Sequence, residues 1–166
     1  MAKYSLSWTS LSFAAKADTT AFTANEVVYL QGGSATQRNV VSEIYIGGEA
    51  SATSSPCLAV LGRDSTVATA TVSGGRVALL DGSATAPATT AATGTTTSGT
   101  QGQRSSTLHL LHLSFNAYGG IVRWVAAPGS EIAVVGNTAS LGEVSLSAFT
   151  GSTTAANSGH IVFETV

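Results

Sequence analysis

Three histidines, nine carboxylates and one cysteine are the side chains of this 166-residue sequence best suited to chemistry other than packing. A strand that holds a metal with two histidines needs them at i, i+2, so that both rings leave the same face. His109 and His112 are spaced oddly instead. On a regular strand that spacing puts His109 with Leu111, Leu113 and Phe115, and His112 on the other face with Leu108 and Leu110. One ion then cannot take both rings. His160 is remote in sequence, and Glu164 shares its face at i+4 without a third ligand. The expectation is therefore no metal and no cofactor, with the histidines as interface or satisfied polar residues.

Nucleophilic chemistry has no better footing. None of the many serines sits in a Gly-x-Ser-x-Gly elbow. Cys57 follows Pro56 with no histidine or cation beside it in sequence to lower its pKa, and it has no second cysteine to pair with. The spacing predicts a small apolar core residue. Glycoside hydrolysis needs two facing carboxylates, and nine acids permit some pair without pointing to one. No phosphate-binding Gly-x-x-x-x-Gly-Lys-Ser/Thr loop and no dinucleotide fingerprint after a strand is present. The expectation is a protein that is not an enzyme and takes no small-molecule substrate.

The elements that would carry these residues read as strands. Tyr4, Leu6 and Trp8 alternate with Ser5, Ser7 and Thr9, as a half-buried strand requires. Val40, Ile44 and Ile46 alternate with Glu43 and Tyr45. Further runs are 26–30, 57–61, 67–72, 76–80, 108–115, 121–126, 131–135, 144–149 and 161–166, about eight to eleven short strands in all. Gly32-Gly33, Gly74-Gly75, Asp81-Gly82, Gly119-Gly120, Pro128-Gly129 and Gly136-Asn137 sit between runs as turns. The alanine clusters 14–17 and 88–92 offer a helical turn at most. This pattern predicts one all-β domain over residues 1–166, a jelly-roll-type sandwich with negligible helix.

One segment departs from the rhythm. From Asp81 to Thr107 alanine is the largest apolar side chain apart from Pro87, and Gly, Ser and Thr dominate. The reading is one long Ser/Thr/Gly-rich loop, far beyond the usual connection of about 4–6 residues. It either stays a surface loop or orders against a neighbouring subunit, where its threonines could pair as an added edge strand. Residues 47–56 have the same character. Among the aromatics, Trp8 is expected in the core, while Trp124 alternates with Arg123 so that one of the two faces out. If Arg123 does, an ion pair with Glu131 or Glu143 is open to it.

Composition narrows the partners. Charged residues make up 10% of the chain, against about 25% in an ordinary domain. A net charge of −2 with scattered basic residues gives no field for nucleic acid or anionic lipid. No stretch reaches the ~18 apolar residues of a membrane span. The first residues hold no signal-peptide run, and Asn137-Thr138-Ala139 misses a glycosylation sequon by one position. A protein made and used without export is expected.

Five pieces, in this order, resemble the jelly-roll capsid decoration (cement) proteins of tailed bacteriophages and prophages. They are Tyr4-Ser5-Leu6-Ser7-Trp8-Thr9, Val41-Ser42-Glu43-Ile44-Tyr45-Ile46-Gly47 and Thr89-Thr90-Ala91-Ala92-Thr93-Gly94 before Leu108-His109. Ala127-Pro128-Gly129-Ser130-Glu131-Ile132 and His160-Ile161-Val162-Phe163-Glu164 complete the set. The resemblance implies a homotrimer that clamps major capsid protein subunits on the outer surface of the virion, after synthesis in the bacterial host cytoplasm. The family carries no fixed functional motif, and the scarcity of charge here departs from a capsid contact built on salt bridges. Candidate subunit or capsid contacts are Tyr4, Thr95, Thr96, Thr97, Arg104, His109, Tyr118 and Arg123. Two other readings stay open: a receptor- or glycan-binding tip of a tail fibre or spike, and a cupin-like metalloenzyme.

Overall fold

The structure is a computed structural model that describes residues 3–12, 14–15, 26–32, 36–49, 56–66, 76–84, 91–93, 103–135, 142–150 and 156–166. These residues form strands and turns without a helix. In chain order the strands are β1 (Lys3–Ser12), β2 (Ala14–Ala15), β3 (Glu26–Gln31), β4 (Arg38–Gly48), β5 (Pro56–Thr66) and β6 (Arg76–Leu79). Then come β7 (Ala91–Thr93), β8 (Gln103–Asn116), β9 (Ile121–Val125), β10 (Ile132–Val135), β11 (Glu143–Thr150) and β12 (Ala156–Thr165).

They make two sheets. The first runs β10-β4-β12-β1-β6, with β9 beside β4 on the same edge as β10. The second runs β7-β3-β11-β5-β8, with the short β2 parallel to the end of β11 and every other pairing antiparallel. Tyr4, Leu6, Trp8, Ile44, Ile46, Ile161 and Phe163 from the first sheet meet Val28, Leu30, Cys57, Leu61, Val144 and Leu146 from the second in one core. Alternation is the reason the sheets can face each other in this way: each strand sends every second side chain inward. Tyr4 stacks on Phe163 with ring centroids 5.5 Å apart, and the indole N–H of Trp8 donates to Asn157 Oδ1 at 2.8 Å. The first strand is thus part of the core and not an arm. It pairs with β12 on one side and β6 on the other.

Among the described residues, turns fall at Asp81-Gly82, Gly119 and Pro128-Gly129, as expected; Gly74-Gly75 and Gly136-Asn137 lie outside them. Gly119 and Gly129 have φ of 66° and 83°, backbone that costs glycine nothing and a side chain about 1 kcal/mol or more. At Asp81 the carboxylate accepts from the Ser83 N–H at 2.9 Å, closing a turn on its own backbone.

Four expectations change. Ala14–Ala15 and Ala91–Thr93 are strands, because each pairs with a neighbour remote in sequence, β11 and β3 respectively. The 81–107 segment is therefore no continuous loop: β7 lies inside it, and β8 already begins at Gln103. Within 38–48 the core position is Val41, fully buried, and not Val40. The cause is a β-bulge at Ser42, where Val162 pairs with Glu43 but Phe163 pairs with Val41. One extra residue reverses the in-out phase of everything before it. The strand expected at 67–72 lies outside the described residues.

Candidate functional site

Three polar constellations stand out. The first occupies the solvent face of the first sheet. Because Ile44 and Ile46 point inward, Glu43 and Tyr45 of β4 point outward. Cross-strand pairing then sets Tyr45 between Arg123 of β9 and His160 of β12. Tyr45 and His160 stack almost parallel, with ring centroids 5.3 Å apart and planes 7° apart. Arg123 grips Glu43 with two bonds, Nε to Oε1 and Nη2 to Oε2, each 2.9 Å. His160 Nε2 lies 3.6 Å from the same Oε1. The Arg123 hydrogen bonds hold the Glu43 carboxyl below the usual glutamate range, against a smaller opposing effect of burial. Glu43 in turn raises the Arg123 guanidinium.

Beside this cluster opens a groove of about 420 Å³, lined among others by Trp8, Tyr45, Gly47, Glu49, Ile121 and His160. Its floor is Gly47. A Cβ there would meet only Gly120 O and Ile121 Cγ1, both at 3.9 Å, an ordinary contact distance. Neither backbone conformation nor packing requires glycine at this point. Of its lining, Ile121 is 62% exposed; Tyr118 and Val125, which do not line the groove, are 56% and 54% exposed.

The second constellation is buried on the face of the second sheet that points away from the core. Asp64 (β5), Arg104 (β8), and Glu143, Ser145 and Ser147 (β11) are each at most 1% exposed. The Arg104 Nη2 donates to Ser147 Oγ at 2.5 Å and to Ser145 Oγ at 3.3 Å. Ser145 in turn donates a hydrogen bond from its hydroxyl to Asp64 Oδ1 at 2.5 Å. Glu143 is the second buried carboxyl of the group, close enough to Asp64 to influence its ionisation. Burial raises the Asp64 pKa, outweighing the hydrogen bonds from Glu143 and Ser145 and the charge of Arg104 that act to lower it. Arg104 is the one cation buried beside the Asp64 and Glu143 carboxyls, and a cation in that place is what makes buried carboxyls tolerable. Arg104 reaches Ser145 and Ser147 by crossing β5 at Gly62, where a Cβ would stand 2.6 Å from Arg104 Cδ.

The third is the histidine pair, and here strict alternation fails. Leu61 pairs with Leu111, but the next residue, Gly62, pairs with His109. Leu110 is an extra residue, a bulge that restores both histidines to one face. His112 lies opposite Val60 and His109 opposite Gly62. His112 Nε2 stands 3.2 Å from His109 Nδ1, with ring centroids 5.2 Å apart. The premise that odd spacing separates these rings is thus corrected.

The residues expected at contacts scatter. Tyr4 is 5% exposed and Arg104 1%, so both are interior residues: one fills the core, the other neutralises carboxylates. His109 is half-buried on β8, and Tyr118 and Arg123 are exposed. Arg123 does face out while Trp124 packs against the core, but its partner is Glu43 and neither Glu131 nor Glu143. Thr95, Thr96 and Thr97 lie outside the described residues. Cys57 is buried in the core, 4% exposed, as its sequence context indicated. The sequence reading did not single out Asp64, and Glu143 was offered only as a partner for Arg123. The one local signal was a charged pair, Arg63-Asp64, continuing an apolar run in a chain otherwise poor in charge. Comparison with protein-family models, with curated proteins and with solved structures returns no match.

Proposed function

We propose that this chain is a structural assembly protein, a capsid decoration protein that binds the outer shell of a tailed phage as a homotrimer, with the major capsid protein as its partner. The observation that carries the assembly reading is the exposed apolar side chains of Ile121 and Val125 on β9 and of Tyr118 just before it, β9 being an edge strand among the described residues. An edge strand with exposed apolar side chains is a pairing hazard unless a neighbour covers it. Arg123, held between Ile121 and Val125 by Glu43, adds an oriented cation to that strand. Many modest contacts of this kind add up when a symmetric oligomer presents them together.

Strand order supports reading the sandwich as a jelly roll. Taking β9 and β10 as one strand position and setting aside β2, β6 and β7, eight strands remain. The first, eighth, third and sixth lie side by side in one sheet, and the second, seventh, fourth and fifth in the other. Two interleaved Greek keys produce that order. The resemblance of the five sequence pieces supplies the capsid as the setting.

The test is sedimentation of the purified chain alone and with expanded capsids. A trimer that co-sediments with shells, and that Ile121→Glu with Val125→Glu converts to a monomer, is the expected result. A monomer without capsid affinity refutes the proposal. A second reading, a glycan-binding tip, has the groove above Gly47 in its favour, since a concave site with aromatic walls and a few polar groups suits a small ligand. A glycan-array signal that Gly47→Leu abolishes would select it.

A further inference from the structure

We propose that His109 and His112 form a surface site for a divalent transition-metal ion of borderline softness, such as Zn2+, Ni2+ or Cu2+. The argument begins with distance. A metal bonded to two imidazole nitrogens at about 2.0–2.1 Å holds them roughly 2.9 Å apart at a right angle and roughly 3.4 Å apart in a tetrahedron. The observed separation of His112 Nε2 and His109 Nδ1 is 3.2 Å. Their ring centroids are 5.2 Å apart, so the two nitrogens lie on the facing edges of the rings. An ion takes the place of the hydrogen now between them. His112 then carries its proton on Nδ1, and both imidazoles stay neutral, as metal ligation requires.

The backbone fixes this proximity. The Leu110 bulge brings both residues to one face, and β5 lies beneath them with Val60 and Gly62, neither of which is ionisable. Gly62 offers no side chain to crowd His109. β8 is the last strand of its sheet among the described residues, and His112 is exposed, so the ion is reached from solvent. No group of three or more His, Cys, Asp and Glu side chains able to hold a metal occurs among the described residues. The site therefore supplies two nitrogens and leaves the remaining positions to water. Two imidazoles without a fixed cage select by the intrinsic order of nitrogen affinity, Cu2+ above Ni2+ and Zn2+, and leave hard Mg2+ and Ca2+ aside.

The experiment is titration of the intact chain with Zn2+ and Ni2+ by calorimetry, beside His109→Gln, His112→Gln and, as control, His160→Gln. One ion per chain is expected, with affinity reduced about tenfold or more in each of the first two variants and unchanged in the third. Saturable binding that survives loss of His109 or His112, or that His160→Gln removes, overturns the assignment. So does the absence of saturable binding. Electron paramagnetic resonance of the wild-type chain loaded with one equivalent of Cu2+ does not depend on any variant folding. Coupling to two imidazole nitrogens is expected, and coupling to none or one refutes the pair.

Discussion

Arg104→Met is the sharpest perturbation of this fold. The guanidinium is 1% exposed, and its Nη2 is bonded to Ser145 and Ser147, which stand beside a carboxyl pair that is itself wholly buried. Methionine roughly replaces the aliphatic stem but not the charge. The buried Asp64 and Glu143 carboxyls then lose the cation that offsets their charge. Removing one partner of a buried ion pair costs about 3–5 kcal/mol, and that is the expected loss at pH 7. The loss has a pH signature. Asp64 already has a folded-state pKa above its ordinary value because of burial, and losing Arg104 raises it further. A carboxyl whose folded pKa is raised contributes its stability below the unfolded pKa of about 3.8 and loses it as pH rises through the folded value. The deficit of the variant should therefore be small near pH 4, grow as pH rises, and level off once the pair is as ionised as it will become. Urea unfolding at pH 4, 5.5 and 7, for wild type and variant with equal m-values, measures this directly. A loss below about 1 kcal/mol at pH 7, or one that does not change with pH, would refute the view that Arg104 exists to neutralise that pair.

Gly62→Ala places a methyl group against the Arg104 stem and should cost about 1–3 kcal/mol by overpacking. The same change made in an Arg104→Ala background should cost less, and a double-mutant cycle by urea unfolding reads the coupling. Asn157→Ala strands the buried indole N–H of Trp8, with an expected loss of about 1–3 kcal/mol in thermal or urea unfolding followed by tryptophan fluorescence. On the exposed face, Arg123→Gln removes the group that lowers the Glu43 pKa. The Glu43 pKa followed by NMR should rise toward the ordinary glutamate value, with little change in melting temperature because the pair is solvent-screened. In the wild type that pair's contribution is present above the ordinary pKa of 4.5 and fades as pH falls through the lowered value.

The legible part of this protein was local. Alternation at Tyr4, Leu6 and Trp8 names the inward face of β1, and the glycines at 119 and 129 name turns. Both follow from the sterics of a few consecutive residues. Cys57 and Trp8 were readable as core for the same reason. The two-residue and three-residue strands β2 and β7 were not, because alanine carries no periodic signal and only the partner strand makes them strands.

By itself, then, the sequence determined an all-β chain, where most of its strands run and which face of a regular strand is apolar. Tertiary structure decided the phase wherever a strand carries an extra residue. The bulge at Ser42 moves the core position from Val40 to Val41, and the bulge at Leu110 joins two histidines that even alternation separates. A bulge is set by the register of the neighbouring strand, which lies far along the chain. The charge partners depend on the same long-range register. Arg104 meets Ser145 across 41 residues, Ser145 meets Asp64 across 81, and Arg123 meets Glu43 across 80. Only the packed sheets bring those side chains close enough for their charges and protons to be shared.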